Sequence, residues 1–142
     1  MRTITREVLS HEDACKAVDA VRSSLIAAGQ SAAIAVVDAH GELMAFLRLD
    51  GCRLSATTIA INKAFTAARE WESTRKTGES LNPGPYPLGA MGDDRYTTFA
   101  GGFPIARNDV VIGGIGVSGI YDKDSDEKFA KIGLEAIGAT SP

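Results

Sequence analysis

The 142-residue sequence is poor in the residue types that usually announce chemistry, with two cysteines, two histidines and one tryptophan. Two cysteines without bridge or ligand spacing exclude a disulfide scaffold, and beside only His11 and His40 they exclude a structural zinc site or other metal centre. Cys15 falls in a helical pattern and reads as a small buried apolar residue, while Cys52 falls in a turn. There is no Lys/Arg stripe and the net charge is −3, which argues against nucleic acid or an anionic membrane as partner. Apolar runs are about strand length, too short for a membrane span. The opening stretch "MRTITREVLSHEDA" has no apolar signal core, which predicts a cytoplasmic location. Low-complexity segments and internal repeats are also lacking.

What is present is ordinary for a soluble globular chain: 44% apolar and 23% charged residues, read as a single domain over 1–142. After Ser10, a plausible N-cap, the residues Ala14, Val18, Val21, Leu25 and Ala28 recur at helical spacing, and Gly29 is a natural stop. "AIAVVD" (33–38) and "ELMAFLR" (42–48) predict a hairpin with Gly41 in its turn. A helix over 54–71 follows, with a narrow apolar face of Ile59, Ala60, Ala64, Ala67 and Ala68. From Ser73 to Gly102 the signals are irregular and rich in Pro and Gly, the length and texture of a lid, a binding loop or an interface segment. "FPIAR" and "VVIGGIGVSG" predict a second hairpin around Asn108–Asp109, and "DKDSDEKFAKIGLEAIGA" a last helix capped by Asp124 or Ser125. The order α-β-β-α-(irregular)-β-β-α predicts an α+β fold: a mainly antiparallel sheet with both faces covered.

"GIGVSG" (114–119) spells the glycine pattern of a dinucleotide site. That site needs the glycines between a strand and a helix, with a further parallel strand beyond. Here they lie inside the strand, so no nucleotide is expected. Glycine in a strand serves close approach instead, and Gly113, Gly114, Gly116 and Gly119 leave a groove for an alanine-faced helix or a flat ligand. "GVSGI" has Ile120 where a nucleophile elbow needs glycine, and neither histidine is placed as its base. "DKDSDE" lacks a calcium loop's sixth-position glycine, which is Glu127, and its twelfth-position glutamate, which is Gly133, and reads as an acidic helix cap.

Lys63 lies on or near the apolar face of the second helix. It either snorkels from a buried stripe or stands as a cation at a pocket mouth, holding a carboxylate or phosphate. Arg48 ends a strand close to Asp50, with which it can pair. Tyr86, Arg95 and Arg107 sit around the irregular segment.

In order along the chain, "VVDAHGELMAFLRLDG", "SATTIAINKAFTAA", "FPI", "VIGGIGVSG" and "DEKFAKIGLEAI" together resemble the GlcG/HbpS-like family. This is the haem-binding or haem-degrading domain also found at the C-terminus of PduO-type proteins. The resemblance spans roughly residues 8–138. It implies a three-layer α-β-α domain with a five-stranded antiparallel sheet of profilin-like appearance. It also implies a homo-oligomer, from dimer to octamer, and a small-molecule or tetrapyrrole site, with haem as a candidate cofactor. Haem attachment in the family is tied to histidines or a threonine; the matching blocks here hold only His40. "REWESTRKTGES" carries Trp71-Glu72 where many members have Phe-Gly.

Three functions are then expected in competition. The first is an oligomeric small-molecule-binding protein associated with catabolism of a small organic compound. Its site would lie between the Lys63 helix, the glycine strand (Gly114, Gly116) and the 82–99 loop. Lys63 and Arg48 would take the ligand's acidic group, Tyr86 and Phe103 would wall it, and Arg95 would be a further ligand contact. The second is a cofactor-independent isomerase, lyase or hydratase with Lys63 as base and Asp93 or Asp94 as acid–base partner. The third is a structural accessory subunit.

Overall fold

A computed structural model describes residues 1–81, 84–122 and 124–142. Helix α1 (His11–Ala27) begins where Ser10 Oγ accepts the Asp13 N–H at 3.1 Å, and Glu12 and Asp13 sit in its positive first turn. Ala14, Ala17, Val18, Val21 and Leu25 form its buried stripe. Cys15 is exposed, correcting its reading as a core residue: it lies one position off the stripe that Ala14 and Ala17 define. Strands β1 (Ala33–Asp38) and β2 (Leu43–Arg48) pair antiparallel, and Asp38 Oδ1 fixes their turn by accepting the His40 and Glu42 N–H groups at 2.8 and 3.0 Å.

Helix α2 (Ser55–Glu70) ends on Trp71, which adopts left-handed φ 61° where glycine is usual. The segment read as irregular contains a helix, α3 (Thr74–Leu81), and a short 3-10 turn over Leu88–Met91. Strands β3 (Gly102–Arg107) and β4 (Val110–Ser118) meet at Asn108 and Asp109, with φ 50° and 62°, the two left-handed residues that a tight hairpin of this twist requires. Helix α4 (Ser125–Ala136) follows.

The strand order is β2-β1-β4-β3, all antiparallel. Among the described residues the sheet has the four strands of the residue pattern, not the five that the resemblance implied. The described residues between α2 and β3 are helical or irregular, and the tail after α4 contributes only one bridge, Thr140 to Ala106, at the β3 edge.

Strand alternation divides the side chains between two layers. One face, with Ile34, Val36, Phe103, Ile105, Ile115 and Val117, packs against α1 and α4 in the larger core. The other presents Ala33, Ala35 and Val37 to Ala56, Ala60, Ala64 and Ala68 of α2. Gly114 and Gly116 lie under the same helix: a methyl group at Gly116 would collide with the Ala60 carbonyl and come within 2.7 Å of Ala64 N. Gly114 and Gly116 are thus the seat of α2, which explains the alanines opposite them, whereas Gly113, expected in the same groove, faces Leu9 and Ile105 instead.

Candidate functional site

Lys63 is the one charged residue among the described side chains classed as buried, at 2% exposure. The small residues beneath α2 draw this helix so close to β4 that the lysine runs along the sheet. Gly101, at φ 123°, leaves the path open: a methyl group there would stand 2.8 Å from Lys63 Nζ. The ammonium donates to Val117 O at 2.8 Å and to Asp126 Oδ2 at 2.8 Å. Asp126, in the first turn of α4, accepts the Ile120 N–H on its other oxygen at 3.2 Å, so one carboxylate ties together α2, the end of β4 and α4. Burial lowers the Lys63 pKa, and the charge and hydrogen bond of Asp126, with the charge of Glu127, work against that fall. An ammonium has three donors, and two are occupied here.

The pair forms the floor of a concavity of about 480 Å³. Arg53 and Arg75 flank it, Ile59, Phe99 and Ile120 supply apolar surface, and Ser118 adds a hydroxyl. That volume lies within the usual range for small-molecule sites, roughly 300–1,000 Å³. Arg75 is clamped by Glu127, at 2.9 Å from both Nε and Nη2, and by Asp124 at 2.9 Å; these bonds raise its pKa and hold it as a fixed cation. Arg53 lies 4.5 Å above the Tyr121 ring and takes part in no described ion pair. Cys52 neighbours Gly119, and burial pushes its thiol pKa up against the pull of Arg48 and Arg53. A second hollow of about 480 Å³, between Leu9, Ile105 and Ile137, has no buried polar side chain among its lining residues.

The structure gathers few of the sequence-derived candidates here. Arg48 is exposed at the end of β2 and forms no described ion pair with Asp50. Tyr86 is exposed and does not line the concavity. Phe103 is buried in the α1/α4 core with Lys131 over its ring, on the opposite face of the sheet. Gly114 and Gly116 are covered by α2 and offer a ligand no surface. Arg95 belongs to another cluster: it binds Asp93 at 3.0 Å and Glu42 at 3.2 Å and stacks 4.1 Å over Phe65. Its hydrogen bonds hold Asp93 below the usual carboxylate range. Asp94 is exposed, and neither aspartate lines the Lys63 concavity. Of the 82–99 segment only Phe99 reaches it; Asn82 and Pro83 lie outside the described residues. Asp126, Arg75 and Arg53 were missed. The string "DKDSDE" did mark Asp126, but only as a helix cap.

None of the described residues lining the concavity is His, Cys, Met or Tyr, the usual axial ligands of haem iron. Its cations and apolar rim fit the carboxylates and edge of a tetrapyrrole; its donor set does not fit the iron.

Residues 9–135 match the family model described as haem degrading protein HbpS-like. An uncharacterized 15.0 kDa protein from the dhaT-dhaS intergenic region of Citrobacter freundii is 32% identical over 106 residues, covering 73% of this chain and 75% of that protein. Protein GlcG of Escherichia coli K12 is 36% identical over 104 residues, 68% of this chain and 76% of GlcG. A crystal structure of a PduOC:heme complex superposes with a TM-score of 0.87 at 26% identity, over 95% of this chain and 99% of that one. With the model covering almost the whole chain, and a three-layer fold to match, the chain belongs to the HbpS-like family.

Proposed function

We propose that this chain is a small-molecule-binding protein that takes an anionic, carboxylate-bearing ligand in the Lys63 concavity. The observation that carries this reading is the buried ammonium at its floor, fixed by Val117 O and Asp126 with one donor left over. Arg75 is already neutralised by two carboxylates and Lys63 by Asp126, so the net attraction comes from Arg53, with the remaining Lys63 N–H as a hydrogen-bond donor. Haem is the first ligand to test, since PduOC has been crystallised with heme. Among the described residues the concavity offers cations for its propionates and no usual ligand for its iron. Exposed Leu54, Phe99 and Tyr121 are apolar surface that a second copy can cover, which favours a homo-oligomer.

Haemin titration followed by the Soret band, and melting curves with short-chain carboxylates against the matching amides, test this reading. Carboxylates are expected to raise the melting temperature and amides not, and Lys63→Met to remove the difference. Equal effects of acids and amides, or a rise that survives Lys63→Met, would overturn it.

A second reading has one observation in its favour. A lysine whose pKa is lowered by burial, hydrogen-bonded to a carboxylate, can serve as a base in an isomerase, lyase or hydratase. In that case Asp126, rather than Asp93 or Asp94, is the acid–base partner. Loss of turnover in Lys63→Met but not in Asp94→Asn would separate the two assignments.

A further inference from the structure

A second constellation lies at the far end of α2, around the chain's single tryptophan. Trp71 is 65% exposed, and its left-handed backbone is unusual for a residue so bulky. Such strain persists only where the surroundings impose it, and it clusters at ligand clamps. The indole and Arg6 together wall two adjoining hollows. One, of about 330 Å³, is lined by Val110, Val111 and Pro142, with Asp109 at its side. The other, of about 260 Å³, is lined by His40 and Arg69. The described hydrogen bonds of both arginines go only to main-chain carbonyls: Arg6 to Val111 at 3.4 Å and Arg69 to His40 at 3.5 Å. The Arg69 guanidinium also lies 5.0 Å over the Phe65 ring. Two arginines thus line the groove against a single lining carboxylate among the described residues, Asp109.

From this juxtaposition we infer that the Trp71 groove is a second binding site, for an aromatic carboxylate. The ring stacks on the indole with its far edge toward Val110 and Pro142. The carboxylate lies between Arg6 and Arg69, where a planar fork matches it best. A neutral ring would gain the stacking alone, and an aliphatic acid the charge alone. Both features are needed, and the two hollows share Trp71 and Arg6, so one small molecule placed across them meets both.

One tryptophan gives one indole N–H cross-peak in a proton–nitrogen correlation spectrum, a direct report from the site. Benzoate is expected to shift that peak saturably, with benzamide binding about tenfold more weakly or worse. Arg6→Gln, in the exposed N-terminal segment, and Arg69→Gln are each expected to weaken benzoate about tenfold while circular dichroism is unchanged. The inference fails if benzoate leaves the peak in place, if benzamide binds equally well, or if both variants bind benzoate like the parent. It fails also if the peak moves with protein concentration alone, which would make the groove a contact between copies.

Discussion

Asp126→Asn removes a charge and keeps the shape. The asparagine oxygen can still accept the Ile120 N–H, so the change isolates the pair with Lys63. The Lys63 side chain is 3% exposed and that of Asp126 16%, so water cannot replace the lost carboxylate at the ammonium. Orphaning a buried charge costs about 3–5 kcal/mol, and the partial exposure of Asp126 places this case near 3 kcal/mol. For a chain of this size that corresponds to a melting point lower by about 10 °C. The pH profile carries a second signature. Lys63 has a folded pKa below its unfolded value. Between those two values the unfolded chain holds the extra proton, so stability rises with pH there, and the cost of the buried cation is fully present below the folded pKa. Asp126 limits the shift, so the variant is expected to begin its rise at lower pH and gain more on the way to alkaline conditions. Urea titrations at a series of pH values measure both effects, and a cycle with Lys63→Met isolates a coupling of about 2 kcal/mol. A loss below about 1 kcal/mol with an unchanged pH profile would show that Asp126 does not hold the lysine charge.

Gly116→Ala is expected to cost about 1–3 kcal/mol or more by forcing α2 off the sheet, seen as a lower urea midpoint; an unchanged midpoint would mean α2 can shift freely. Thr74→Val leaves the buried Gly102 N–H, now 3.0 Å from Thr74 Oγ1, without its acceptor, for a loss of about 1–3 kcal/mol by the same assay. Ser10→Ala removes the α1 cap and should cost about 1 kcal/mol, with helical content at the α1 N-terminus checked by hydrogen exchange.

The helices and strands with a strong apolar rhythm were legible because their burial is one-sided or complete. Asn108–Asp109 announced its hairpin, and the glycines of β4 announced close packing. Helix α3 was not legible: "TRKTGESL" has no apolar stripe, includes Gly78, and buries only Thr74 and Thr77. Tertiary contacts hold it, among them the bonds that Arg75 donates to Glu127 of α4 and that Thr74 accepts from Gly102 of β3. Lys63 stood out as a cation in an alanine stripe. Its partner did not, because Asp126 is 63 residues away and only the sheet brings them together. Arg48, Tyr86 and Phe103 were chosen by type and neighbourhood, and no local pattern states which face of a sheet or loop a side chain will take. Four strands were legible in the residue pattern, as found; the fifth came from the resemblance alone, and the polar segment before β3 shows no alternation to support it.

Lys63 can be observed directly. Nitrogen-15 NMR of its side-chain amine, assigned by Lys63→Met, follows the ammonium through a titration with a carboxylate ligand. A saturable shift of that resonance, matching the binding curve measured by calorimetry, is the expected result. Binding that leaves the Lys63 resonance unmoved would place the ligand elsewhere and contradict the site.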